Sequence, residues 1–465
     1  MGRRTAWWRA RARRGRPSAR ACGVAAGAVL CAAALPGPAA AAAAPGAAAA
    51  SYGSGTGFHN SAAASASASA AYAFAEDART VTGAPGTTDA PLIEPGRTYR
   101  SSLPRGAKAY YRMELDPVSN AYVSATAVPR PGSVLSTSDG IRVSVQSADS
   151  RSCSRESVSF GAAHSPHPIT AWGARTTSPA DPVCRGAGPY YVVVERVDAA
   201  DSSPGAWDLE LAAATEPGLT RTGATSAPDP WDSASPAPLT GRGQRRQGGA
   251  GFSRAVPVRQ GVWRAAVSPG QTLFYKVPVD WGQQLSATAE LGSSAGGRGF
   301  AVGALSLALH NPVRARVEDT GVGYDGRQRT AALAPVPPVE YANRYAVTDR
   351  VNGMRFAGSY YLVVHLAESV AEDFGDGPFG LTLRVRVAGA AHDGPGYAGR
   401  AVPRDAFGVT AADRQAAADG GAAGDDTAMK ALAAGGIGAG TLVLVVLGVW
   451  TASARRRAGA RVPVR

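Results

Sequence analysis

Two stretches of this chain are copies of one another, and that restricts its fold more than any other feature. The run TYRSSLPRGAKAYYRMELD, Thr98 to Asp116, aligns without a gap with VWRAAVSPGQTLFYKVPVD, Val262 to Asp280, at a spacing of 164 residues. Tyr99 meets Trp263, Gly106 meets Gly270, Tyr110-Tyr111 meets Phe274-Tyr275, and Asp116 meets Asp280. The alternation also agrees: Tyr111, Met113 and Leu115 share one face of a strand, as do Tyr275, Val277 and Val279. Farther on, SATA at Ser124 matches SATA at Ser286, and GPYYVVVERV from Gly188 matches GSYYLVVHLA from Gly358. Each copy closes on an alternating strand, WDLEL from Trp207 and LTLRVRV from Leu381. A repeat this long is a whole domain rather than a solenoid unit. Each copy offers about eight short apolar runs split by Gly, Pro, Asp or Ser, and no helical stretch of useful length. The expectation is an all-β protein with two tandem antiparallel β-sandwich, jelly-roll-like domains, at 90–215 and 259–388. The nearly continuous apolar run after each Gly-x-Tyr-Tyr predicts a central strand covered on both faces.

Both ends of the chain are addresses. Residues 1–44 join a basic region, an apolar run from Ala21 to Leu35 and a string of small residues, the three parts of a secretory signal peptide. Residues 431–454 carry no charge and predict one transmembrane helix, because a helix of this length spans about 36 Å, enough for a bilayer core of about 30 Å. Arg455, Arg456 and Arg457 follow at once and place the tail, 455–465, in the cytoplasm. The topology expected is single-pass type I, with the ectodomain outside the cell membrane. Between these parts, 45–89 reads as an Ala/Ser-rich disordered spacer, 216–258 as a Pro/Gly/Arg-rich linker and 389–430 as a flexible stalk. Gly436 and Gly440 give a GxxxG spacing that would let two such helices form a homodimer; the abundance of Gly in this chain is the competing origin.

The net charge of +13 does not indicate nucleic acid. Eight arginines in 1–20 and five in 455–465 account for the whole excess, so the remainder is neutral and no nucleic-acid partner is expected.

Candidate chemistry is sparse. Cys22 and Cys31 fall in the signal, leaving Cys153 and Cys184; export into an oxidising space and an even count predict that these two pair. His164 and His167, in His-Ser-Pro-His, offer two ligands where a metal needs more. There is no GxSxG elbow, no HExxH and no credible Cys–His pair, so the chain reads as not an enzyme. The acidic stretches VDAADSSPG, with Asp198 and Asp201, and AEDFGDGPFG, with Glu372, Asp373 and Asp376, occupy the same loop of the two copies. Anchored on the final strands, Asp198 aligns with Glu372 and Pro204 with Pro378. Glu372, Asp373 and Asp376 are read either as a solvated turn or as weak calcium ligands, calcium being the one cofactor considered.

The strand order resembles the pre-peptidase C-terminal domain, a small β-sandwich attached to secreted bacterial proteases. The resemblance rests on Gly106 to Leu115, Asp139 to Val145 and Gly188 to Val194 in copy one, and on Gly270 to Val279, Leu305 to Leu309 and Gly358 to Val364 in copy two. Copy two departs in lacking the acidic residue before its middle strand, and no protease domain accompanies the pair. The layout is similar to that of single-pass secreted proteins of actinomycetes. The resemblance implies a non-catalytic role at the cell surface, either envelope scaffolding or binding of a partner protein or envelope polymer. The alternative is an accessory subunit of an envelope enzyme or secretion complex.

Overall fold

The computed structural model describes residues 71–419, apart from 178–181, 222, 224, 227–229 and 238. The segments expected as a signal peptide (1–44), a transmembrane helix (431–454, with Gly436 and Gly440) and a cytoplasmic tail (455–465) lie outside the described residues. Among the described residues no helix is long and apolar enough to cross a membrane.

Copy one contributes β1 (Arg79–Thr80), β2 (Thr98–Leu103), β3 (Lys108–Leu115), β4 (Asn120–Val128), β5 (Gly140–Ser147), β6 (Ser152–Ser159), β7 (Ile169–Arg175), β8 (Gly188–Val197) and β9 (Trp207–Glu216). Copy two contributes β10 (Gln244–Arg245), β11 (Val256–Pro257), β12 (Gly261–Val267), β13 (Thr272–Val279), β14 (Gln284–Leu291), β15 (Ala301–His310), β16 (Arg316–Tyr324), β17 (Arg329–Ala332), β18 (Gly358–Leu366) and β19 (Phe379–Ala388). Of three short helices, α1 (Asp349–Asn352) lies between β17 and β18, α2 (Val370–Phe374) between β18 and β19, and α3 (Ala411–Asp419) after β19. The sheets run β1-β2-β9-β4-β7 and β3-β8-β5-β6 in copy one, and β10-β12-β19-β14-β17 and β11-β13-β18-β15-β16 in copy two. Strand for strand the two orders are the same, with β11 added at one edge. The duplication read from sequence is therefore a duplication of topology. The fold is all-β, as expected.

The alternation read from sequence sets the core. Tyr111, Met113 and Leu115 are buried with Trp207, Leu209 and Leu211 from the facing sheet. Tyr275, Val277 and Val279 are buried with Trp263, Leu381 and Leu383. Fully burying one such large side chain contributes about 1.5–3 kcal/mol, so these clusters carry most of each sandwich's stability. β8 lies between β3 and β5, and β18 between β13 and β15, so both Gly-x-Tyr-Tyr runs are central strands. Gly106 and Gly270 recur because the turns entering β3 and β13 hold them at φ 62° and 77°, where a side chain is strained.

One alignment needs correction. β4 and β14 begin at Asn120 and Gln284, so the 164 spacing continues through both strands. The two SATA runs are offset from that register by two residues. A slip of two leaves each side chain on its own face, which is why the match looked sound.

Aromatic side chains hidden in low-complexity composition extend the fold beyond the expected boundaries. Within the spacer, β1 pairs with β2, and Ala84 with Tyr110. Tyr72 packs edge-on against Phe74 and Phe274. Within the linker, Phe252 is buried against Phe274 and Tyr361. Within the stalk, Val402 pairs with Thr215, and Phe407 is buried.

Cys153 on β6 and Cys184, ahead of β8, form a disulfide with Cα atoms 5.8 Å apart and a sequence separation of 31. It ties an edge strand to the segment that enters the central strand. Replacing both cysteines with serine should destabilise the protein by roughly 3–4 kcal/mol, the loop-closure value for a ring of this size. A thermal melt unchanged by the double substitution, or two free thiols by mass spectrometry of the mature protein, would overturn this.

Candidate functional site: the seam between the sandwiches

β9 turns Trp207, Leu209, Leu211 and Ala213 into the core of copy one, so Glu210, Ala212, Ala214 and Glu216 face outward. In a lone sandwich that face would be wet. Here copy two packs onto it. Ala212 and Ala214 are short enough to let the two backbones approach, and the carboxylates on either side of them bind across the gap.

Glu216 is buried and accepts hydrogen bonds from three parts of the chain. Asn120 Nδ2 (2.9 Å) and Tyr122 OH (2.7 Å) come from copy one. Arg344 approaches from copy two at 2.7 and 3.2 Å, and Tyr397 OH from the segment after it at 2.8 Å. Burial alone would raise this carboxyl's pKa; Arg344 and the hydrogen bonds outweigh it and hold the group below the usual carboxylate range. Glu210 accepts from Tyr72 OH (3.1 Å), the Ala75 N–H (3.2 Å) and the Arg314 guanidinium of copy two. Between these two locks lies an apolar cluster of Tyr122, Ala174, Val313, Ala315, Phe356 and Phe407. The Arg355 guanidinium lies 5.1 Å from the Trp172 and Phe356 rings and 5.5 Å from Tyr122.

Farther along the seam, His167 of copy one stacks on His365 of copy two, with ring centroids 4.4 Å apart and planes 21° from parallel. His365 Nε2 lies 2.8 Å from Ser165 Oγ, and Nδ1 lies 3.0 Å from Thr272 Oγ1. Ser165 Oγ also accepts the Glu368 N–H (3.0 Å), so this hydroxyl ties β18's end to copy one through two contacts. This serine–histidine contact is a bridge between domains. Both residues are buried, and a hydroxyl stands where a catalytic triad places its carboxylate.

Two clefts open beside the seam. One of about 440 Å³ is lined from copy one by Arg100, Arg130 and His167, from the preceding segment by Tyr72 and Phe74, and from copy two by Glu368. The Arg100 guanidinium lies 4.4 Å over the Phe74 ring and pairs with Asp208 at 3.0 Å. The other, of about 420 Å³, is lined by Arg97, Arg314, Arg404, Asp405 and Asp413 among others.

The acidic loops do not form the pair expected. The Asp198 side chain is covered: it accepts from Arg196, whose guanidinium lies 3.8 Å over Trp207, and from the Gly106 N–H at 2.8 Å. Packing therefore does require this carboxylate. Its counterpart in copy two is Glu368, which lies against Gly270 as Asp198 lies against Gly106. The main chain agrees, because Arg196 N–H bonds Ala107 O and Leu366 N–H bonds Gln271 O. The turn of α2 inserts two residues after this point, and matching Trp207 to Leu381 is itself two residues off the strand register, in which Leu211 corresponds to Leu383; together these displace the alignment by four, so Glu372 is not the equivalent. Glu372 and Asp373 lie within α2 and Asp376 lies beyond it. Among the described residues no group of three or more His, Cys, Asp or Glu is placed to hold a metal ion. His164 bonds Leu135 O and His167 bonds Ser165 O, so these two rings serve separate contacts.

Sequence reasoning missed Glu210, Glu216 and His365. A signal for the carboxylates was present: two acids on the outer face of one strand, separated by alanines, suit a covered face better than a solvated one.

No protein-family model matches the chain, and no curated protein matches it. Solved structures of similar outline include the CUB1-EGF-CUB2 domain of human MASP-1/3, 8% identical with a TM-score of 0.15, covering 62% of this chain and 99% of that one. They also include the tandem CBM22 domains of Paenibacillus barcinonensis Xyn10C, 8% identical with a TM-score of 0.18, covering 64% of this chain and 92% of that one. A third is infectious bursal disease virus Gx strain, 9% identical with a TM-score of 0.21, covering 64% and 71%. Scores this low identify neither a family nor an activity.

Proposed function

We propose that this is a non-catalytic cell-surface protein whose two sandwiches, of the pre-peptidase C-terminal type, work as one recognition unit for an envelope polymer or a partner protein. Residues 1–44 export it and residues 431–454 hold it in the membrane. The observation that carries this reading is the cleft of about 440 Å³ beside the seam, because its lining comes from both copies and neither alone would form it. Its side chains are of the kind that hold polar chains by stacking and charge-assisted hydrogen bonds: Tyr72, Phe74, Arg100, Arg130, His167 and Glu368. The test is cosedimentation of the detergent-solubilised full-length protein with purified cell-wall polymer. Arg130→Glu with Phe74→Ala should weaken retention about tenfold, the effect of removing a central contact residue, without changing the melt. Retention unaffected by the double substitution, or turnover of ester, peptide or glycoside substrates, would overturn the reading.

A further inference from the structure

The seam covers the outer face of β9 and β4 in copy one, and duplication gives copy two the same face on β19 and β14. The pairing registers match the two faces residue by residue. Asn120 pairs with Glu216 where Gln284 pairs with Ala388, and Tyr99 pairs with Leu211 where Trp263 pairs with Leu383. Tyr122, Glu210 and Glu216 thus become Ser286, Thr382 and Ala388, and both carboxylates that lock the seam are gone. Ala212 and Ala214 become Arg384 and Arg386. Side chains of that length prevent a third sandwich from approaching as copy two approaches copy one.

A segment of the chain lies there instead. Arg384 Nη1 donates to Leu239 O (2.9 Å), Arg386 Nη2 to Ala237 O (2.8 Å) and Gln284 Nε2 to Asp232 O (3.2 Å). All three acceptors are main-chain carbonyls of this stretch, whose described residues, 232–237 and 239, carry no regular secondary structure, 232–237 being exposed. Below it a groove of about 470 Å³ stays open, floored by Ser286, Thr288, Thr330 and Ala332. The segment is therefore tethered over the sheet rather than packed into it.

We propose that this face of copy two is a docking site for an extended Pro/Ala/Ser-rich polypeptide segment of a partner protein, occupied here in cis by Asp232–Leu239. Proline has no N–H, so a proline-rich segment offers carbonyls as its main-chain hydrogen-bonding groups. Two guanidiniums and a carboxamide, aimed at the carbonyls of Leu239, Ala237 and Asp232, supply the donors such a segment needs. They read main chain and not side chains, so composition rather than strict sequence selects the occupant. The cis segment is held at the high effective concentration of a tethered ligand, and it competes with the partner for the same donors.

The probe is a labelled synthetic peptide of Pro230–Thr240, titrated by fluorescence anisotropy against the full-length chain. In one variant Asp232–Leu239 is replaced by a Gly/Ser segment of equal length. That variant should bind the peptide saturably, at least about tenfold more tightly than the unaltered chain does, because the cis competitor is gone. Adding Arg384→Ala and Arg386→Ala should weaken binding again by about tenfold or more. In the otherwise unaltered chain the same two substitutions should accelerate hydrogen exchange of the 233–239 amides by about tenfold, which reads the cis contact without replacing the segment. Absence of saturable binding by a replaced chain with an unaltered melt would overturn the proposal. So would binding, or exchange, that ignores both arginines.

Discussion

Glu216→Ala should lower the unfolding free energy by about 3–5 kcal/mol, the cost of leaving a buried charge without its partner. Glu216 is the common acceptor for Asn120, Tyr122, Arg344 and Tyr397, and its side chain is fully buried while that of Arg344 is 10% exposed. Removing the carboxylate strands a guanidinium and three polar groups in a dry interface. Glu216→Gln keeps the shape and part of the hydrogen bonding but not the charge, so its loss should be smaller. Arg344 and Tyr397 lie outside copy one, so the damage should register as separation of the sandwiches. Small-angle scattering of the Ala variant should give a larger radius of gyration under mild denaturant, at concentrations that leave the unaltered protein compact. A loss below about 1 kcal/mol, in the range of an exposed ion pair, would show that the apolar cluster holds the seam without this carboxylate.

Acidification should be the second large effect. Burial pushes His310 down to about 4, while His167 and His365 are held below the ordinary imidazole range by burial, His365 additionally by its neighbour His167. A histidine with a depressed folded-state pKa is neutral in the fold but takes up a proton once unfolded. Its contribution is complete above the unfolded value near 6.5 and is lost as pH falls toward the folded value. For His310 alone this is roughly 3 kcal/mol between those limits. Glu216 loses stability in the same direction below the normal carboxylate range. Glu156 acts oppositely: burial, with Asp349 nearby, pushes it up to about 8, so its contribution is complete below 4.5 and is lost as pH rises to about 8. Three histidines outweigh one carboxyl on the acid side. The melting temperature should therefore peak near pH 6–7 and fall steeply by pH 4.5. His167→Phe, which keeps an aromatic ring in the stack, should flatten the acid limb. A melting temperature that stays constant or rises from pH 6.5 to 4.5 would contradict this assignment.

The sandwich cores were legible because strands announce themselves by period two. Tyr111, Met113 and Leu115, like Tyr275, Val277 and Val279, are buried where alternation put them. The disulfide followed from compartment and count. The same period hid the two-residue slip of the SATA match, since alternation cannot tell a strand from its neighbour two residues along. The final-strand match of Trp207 to Leu381 slipped by the same two residues, and with the two that α2 inserts it placed copy two's acid at Glu372 instead of Glu368.

What the sequence by itself determined is the repeat unit: its core strands and which face of each lies inside. These follow from short-range patterns that each copy must satisfy alone. The tertiary structure decided what happens to the faces left over. Glu210 and Glu216 find their partners only in the seam, where Arg314 and Arg344, more than a hundred residues away in sequence, meet them. Composition assigned Tyr72, Phe252, Tyr397 and Phe407 to a spacer, a linker and a stalk. Packing placed them at the junction because isolated aromatic rings lose contact with water only where two sandwiches already leave a furrow.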